Sequence, residues 1–143
     1  MNLTASTSEN IMLSVSEMEK FSDLTFVMAY ENDIKPTPLD KPIVAFSTKG
    51  CEIGPKLTKT LETGEIKVTK ERDLKITVSI DIYLPYSMGG VSGHMIFDRI
   101  ATYLLYEKNY DIIKVVCNET DYDTSCGAIV LKSQFIFHAV SDV

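Results

Sequence analysis

Leu74-Lys75-Ile76-Thr77-Val78-Ser79-Ile80-Asp81-Ile82-Tyr83-Leu84 alternates apolar and polar side chains without a break. Successive residues of a strand point to opposite faces. Leu74, Ile76, Val78, Ile80, Ile82 and Leu84 therefore bury one face of a long strand and leave the other in water. Pro85 has no N–H to give to a ladder and ends the run. The expected strand covers about residues 73–84. Just upstream, Ile66 and Val68 alternate with Lys67 and Thr69, a strand over about 65–70. The charged run Lys70-Glu71-Arg72-Asp73 between the two reads as a turn, so together they predict a β-hairpin.

On the C-terminal side, Ser87-Met88-Gly89-Gly90 reads as a loop and about 92–106 as a helix, with Ile96, Ile100, Tyr103 and Leu104 facing inward and Asp98, Arg99 and Thr102 outward. A strand over about 112–117, a loop from Asn118 to Gly127 and a strand over about 128–140 follow, the last with Ile129, Leu131, Phe135, Phe137 and Ala139 on one face. On the N-terminal side, Ser6-Thr7-Ser8-Glu9 has the form of a capping box, and Ile11, Met12, Val15, Met18 and Phe21 make an apolar stripe. These predict a helix over about 8–21. Strands are expected over about 24–30 and 43–48, with a loop at 31–42 imposed by Pro36, Pro38 and Pro42. Gly50 ends the second of these strands, and Glu52-Ile53-Gly54-Pro55 reads as a turn. The fold class is α+β: a mostly antiparallel β-sheet packed against two α-helices on one face.

The 143 residues suit a single domain over 1–143, and 45% hydrophobic with 24% charged residues is an ordinary globular composition. No apolar run approaches the ~20 residues that span a bilayer, and Met1–Ser6 has no basic, apolar leader. Cys51, Cys117 and Cys126 form no CxxC pair, and a Cys117–Cys126 bridge would stay open in a reducing cytosol, the compartment expected here. The net charge of −6 disfavours wrapping nucleic acid. The charge is uneven. Residues 1–40 hold 2 basic and 7 acidic side chains, 41–75 hold 8 and 5, and 76–143 hold 4 and 8. A basic segment between acidic ones suits an acidic surface on a neighbouring copy, or a solvated hairpin.

Residues that carry chemistry are sparse. A zinc set drawn from His94, His138, Cys117 and Cys126 matches no ligand spacing. Gly89-Gly90-Val91-Ser92-Gly93 sits where a helix N-terminus would cradle an anion, but it lacks the Gly-Lys-Ser/Thr ending of a nucleotide loop, and turn chemistry accounts for its glycines without a ligand. Glu119, Asp121 and Asp123 lack the glycine and distal glutamate of a calcium loop. Asp81 has no acid–base partner in the pattern. The expectation is a non-enzyme that uses no cofactor and no metal. Tyr83, Tyr86, Met88 and Tyr122 are interface candidates, since exposed Tyr and Met suit protein contacts. They equally suit the rim of a core.

Three stretches carry a family resemblance. They are Pro42-Ile43-Val44-Ala45-Phe46 with Cys51-Glu52-Ile53-Gly54-Pro55, then Leu74 to Pro85, then Gly89-Gly90 with Ile96-Phe97-Asp98-Arg99-Ile100. Across about residues 42–140 the chain resembles the tail terminator (tail completion) proteins of contractile phages, prophages and phage-tail-like bacteriocins of Gram-positive bacteria. The resemblance implies a β-sheet flanked by helices and a homohexameric ring that caps the last ring of the tail tube, ends tube growth and anchors the last sheath ring. It implies the tail tube and tail sheath proteins as partners, with no membrane and no direct nucleic-acid recognition. It also implies assembly in the bacterial cytoplasm before release as part of a virion or killing particle. It carries over no active-site residue. A neck or baseplate component of such a particle, and a small-molecule (anion) binding domain built on Gly89–Gly93, are the alternatives.

Overall fold

The computed structural model describes residues 3–28, 41–124 and 127–142. Helix α1 (Leu3–Ser16) is followed by a single tight turn at Glu19–Phe21 and the short strand β1 (Thr25–Met28). Two long strands come next, β2 (Ile43–Thr60) and β3 (Ile66–Pro85), then helix α2 (Gly90–Thr102), which runs into a wider helical turn at Tyr103–Glu107. Strands β4 (Ile112–Asp123) and β5 (Ala128–Asp142) complete one five-stranded sheet in the order β1-β2-β3-β5-β4. All neighbours are antiparallel except β1 and β2, which pair in parallel from Thr25↔Ile43 to Met28↔Phe46. The connection from Met28 to Ile43 is long enough for the crossover that parallel strands need. The expected α+β class, mostly antiparallel, is the observed one.

The alternation along β3 does what periodicity demands: Leu74, Ile76, Val78, Ile80, Ile82 and Leu84 are all buried. Ile129, Leu131, Phe135 and Phe137 of β5 join them on the same face. Over that face lie Ile11 and Val15 of α1 and Ile96 and Ile100 of α2. Gly93 brings α2 close to the sheet, because a Cβ there would stand 2.9 Å from Leu84 Cδ1. Ser133, buried in the same row, donates from Oγ to the Ile80 carbonyl at 2.6 Å, so its burial leaves no orphan hydroxyl. Arg99 bonds Asp23 at 3.3 Å and the Lys20 carbonyl, and Lys20 pairs with Glu107, which ties the segment after α1 to α2.

Several elements differ from the sequence reading. Helix α1 starts at Leu3 rather than near residue 8, so Ser6–Glu9 lie inside it and not at its cap, and it stops at Ser16 rather than 21. Ser8 is buried and accepts a hydrogen bond from Thr48 Oγ1 at 2.9 Å, so sheet packing claims a residue that capping rules put at a helix end. The expected strand end at Gly50 and turn at Glu52–Pro55 are instead bulges within β2, with register shifts between Thr48 and Gly50 and between Ile53 and Lys56. Pro55 occupies one of those shifts, where no ladder N–H is required.

The predicted hairpin of 65–70 with 73–84 is one continuous strand, β3. Its real partner is β2, and the turn lies at Leu61–Glu65, where Gly64 takes φ 86° and the Leu61 N–H donates to the Glu65 carbonyl at 2.8 Å. Asn118 to Asp123 is likewise strand rather than loop. β4 continues past a bulge between Cys117 and Thr120, leaving Thr124–Gly127 as the connection. Helix α2 begins two residues before the expected 92. The predicted strand end at 29–30, most of the proline loop and Cys126 lie outside the described residues.

Phe135 is fully buried, with its ring 5.9 Å from Phe97 and 6.4 Å from Phe137. Phe135→Ala is expected to destabilise the fold by about 3–5 kcal/mol, read as a lowered urea midpoint, because the interlocked rings cannot collapse into the space left.

Candidate functional site

β2 and β3 outrun their neighbours. Of β2 only Ile43–Phe46 borders β1, and β3 borders β5 only as far as Glu71↔Asp142. Beyond that point, among the described residues, the two strands pair only with each other, as a ribbon from Leu57 to Lys70 turned at Gly64. Five residues of β3 (66–70) extend past β5, a reach of roughly 17 Å at ~3.3 Å per residue. Along the ribbon Leu57, Leu61 and Thr69 are half-buried and the other side chains from Lys56 to Lys70 are exposed. Register places Thr60 opposite Ile66, Thr58 opposite Val68, and Lys59 opposite Lys67. Alternation therefore gives the arm one face with Ile66 (71% exposed) and Val68 (61% exposed) and another with two lysines side by side. The sequence reading saw the basic charge of 41–75 but not the arm, because it broke both strands.

The four interface candidates divide. The rings of Tyr86 and Tyr122 meet edge to face with centroids 6.0 Å apart, both exposed, and Met88 is exposed nearby in chain order. Tyr83 is half-buried and packs against Ile43 and Ala128 on the sheet face away from the helices. Tyr83 also borders a shallow groove with Asp121, Val130 and Lys132.

The glycines before α2 have separate structural reasons. Gly89 takes φ 76° as the residue preceding the helix, a conformation that L side chains resist. Gly93 is held by the close approach of Leu84, which is itself fully buried. Ser92 Oγ donates back to the Met88 carbonyl at 2.9 Å rather than facing out as an anion ligand. Gly93→Ala is expected to cost about 1–3 kcal/mol in thermal or urea unfolding. Gly90→Ala, whose new Cβ would lie 3.8 Å from Thr120, is expected to change stability by less than about 0.5 kcal/mol.

His138 is the one histidine with structured partners on both ring nitrogens. Nδ1 donates to Asp111 Oδ2 and Nε2 to Asp73 Oδ1, each at 2.8 Å, and its backbone N–H donates to the Asp111 carbonyl at 2.8 Å. Two carboxylate acceptors are both satisfied only by the doubly protonated ring, so the site favours that form. Hydrogen bonds donated to Asp73 and then to Asp111 hold its pKa above the usual 6.5. Through these bonds His138 clamps together β3, β5 and the approach to β4. Asp81 is half-buried, which raises its pKa, while the Ser79 hydroxyl, donating at 3.0 Å, and Lys49 and Lys132 offset part of that rise. His94 is exposed on α2, and Cys117 is half-buried with its thiol pKa pushed up by burial and by Asp98. Among the described residues no three His, Cys, Asp or Glu side chains gather as a metal site, and no buried side-chain polar atom lacks a partner.

No family model and no curated protein matches this chain. Among the described residues, no helix is long and apolar enough to cross a membrane.

The raised pKa of His138 fixes a sign. The stabilisation is complete below the unfolded value of 6.5 and fades as pH rises through the higher folded value. The difference in melting temperature between wild type and His138→Gln is therefore expected to be largest near pH ~5.5 and to shrink under alkaline conditions. Thermal denaturation across that range checks it.

Proposed function

We propose that this protein is a structural assembly subunit that caps the end of a contractile, phage-like tail tube as a ring, stopping the growth of tube and sheath. The observation that carries this reading is the projecting arm from Leu57 to Lys70. A two-stranded ribbon is marginal in water on its own, and exposing Ile66 and Val68 along it serves a protein that completes its packing on other polypeptides. The stretches that resemble tail terminators coincide with rigid parts of the frame. Ile43–Phe46 lines the β1–β2 pairing, Leu74–Pro85 is the central strand, and Ile96 and Ile100 seat α2 on the sheet.

Side-chain chemistry supports the same reading. Both nitrogens of the best-placed histidine are committed to carboxylates, and Asp81 is matched by a serine hydroxyl and flanking lysines. A ring subunit needs a stiff sheet, unlike surfaces for its two neighbours and a face for the tube, and a sheet with two helices on one side leaves room for each. The partners under this reading are further copies of the chain, the tube protein and the sheath protein.

The test is assembly. Light scattering coupled to size exclusion is expected to give a mass near six times 16.0 kDa, and co-incubation with tail-tube rings is expected to yield capped tubes of fixed length. A protein that neither forms a closed ring nor binds tube rings at any concentration defeats the proposal.

A further inference from the structure

The open sheet has two unlike margins. On one side the arm carries Lys59, Lys67 and Lys70 against Glu62 and Glu65, with Lys56 and Arg72 at its base. On the other, β4 is an edge strand that sets Glu119, Asp121 and Asp123 against Lys114, while Asp111 just before it is bonded to His138. Both margins pair charge with exposed apolar surface. The arm offers Ile66 and Val68, and the β4 margin offers Ile113 (50% exposed) and Tyr122 (66% exposed).

Within one molecule the acidic run Thr120–Asp123 lies beside Leu131–Ala128, at the end of β5 away from Asp142, past which the arm begins. Lys59 and Lys67 are register partners, and like charges directly opposite destabilise a ribbon unless an anionic surface lies against them. The outer ladder groups of an edge strand invite an added strand. The chain's net charge of −6 argues against a nucleic acid as the arm's partner, since the body repels a polyanion, and favours a local acidic strip on a protein. β4 is such a strip.

We infer that the arm of one copy docks on the acidic β4 margin of the next. The contact is head to tail, because each copy presents one arm and one edge and uses them on different neighbours. Such heterologous contacts repeat until the rotation closes a ring. The inference supplies the intersubunit contact for the ring proposed above, and it rests on that reading only for the closure. Two register shifts, between Ile53 and Lys56 and between Lys56 and Thr58, fall at the base of the arm, where bulges add local twist.

Charge reversal tests it. Lys59→Glu with Lys67→Glu alters the arm, and Glu119→Lys with Asp121→Lys alters the edge. All four side chains are exposed, so circular dichroism is expected to match wild type. Each pair alone is expected to raise the concentration needed for assembly by about tenfold or more in low salt, and the two pairs combined to bring it back near the wild-type value. Ile66→Ser with Val68→Ser, which changes no charge, is expected to weaken assembly as well. A wild type that stays monomeric, an arm variant that assembles like wild type, or a combined variant that stays apart would each overturn the contact. Assembly with reciprocal rescue in a protein that ignores tube rings would keep the contact and defeat the tail-cap reading. Rings that cap tubes despite a reversed arm would do the opposite.

Discussion

The apolar face of β3 is the constraint on which the molecule is built. Leu74, Ile76, Val78, Ile80, Ile82 and Leu84 form an unbroken buried row, and every other element is placed by its distance from that row. β2 and β5 pair along its two sides, α1 and α2 cover it, and the Phe97, Phe135 and Phe137 rings fill the space between helix and sheet. A one-residue slip of β3 would turn the whole row to water, so its register is strongly specified. The ladder between β3 and β5 is uninterrupted, while the register shifts fall in the β2–β3 and β4–β5 ladders.

A sheet this long and only partly covered has a consequence for surface chemistry. Helices reach only the part of β2 and β3 beside β5, and the remainder is left as the arm. The arm's apolar and basic faces are both exposed, and the His138 clamp to Asp73 lies near its base. The ionisable groups with structured partners, His138 with Asp73 and Asp111, Arg99 with Asp23, and Asp81 with Ser79, are engaged in fastening elements together. What the molecule offers outward is shape, apolar patches and charge of opposite sign at opposite margins.

The misread segments share a physical cause. Lys70–Asp73 and Asn118–Asp123 were expected to be a turn and a loop because they carry few apolar residues. Alternation marks a strand only where one face is buried, and these stretches lie beyond the helices or on the sheet's edge, where polar residues satisfy both faces. Gly50, Gly54 and Pro55 read as punctuation for the complementary reason. The backbone irregularity that they signal is real, but bulges absorb it without ending β2. Gly64 is the turn residue, and a glycine directly before the alternating run Glu65-Ile66-Lys67-Val68 is its sequence signal; its φ of 86° is what the turn requires.

By itself the sequence determined the α+β class, the long central strand and the inward faces of α2 and β5, because each of these is written in local periodicity. It also held the unequal charge of its segments. Only the tertiary structure decided that the basic segment is a single projecting arm, that the acidic run is an edge strand, and that His138 is clamped between two aspartates. Those depend on which distant strands end where, and pairing length over a sheet is fixed by packing against the helices rather than by any residue's own preference.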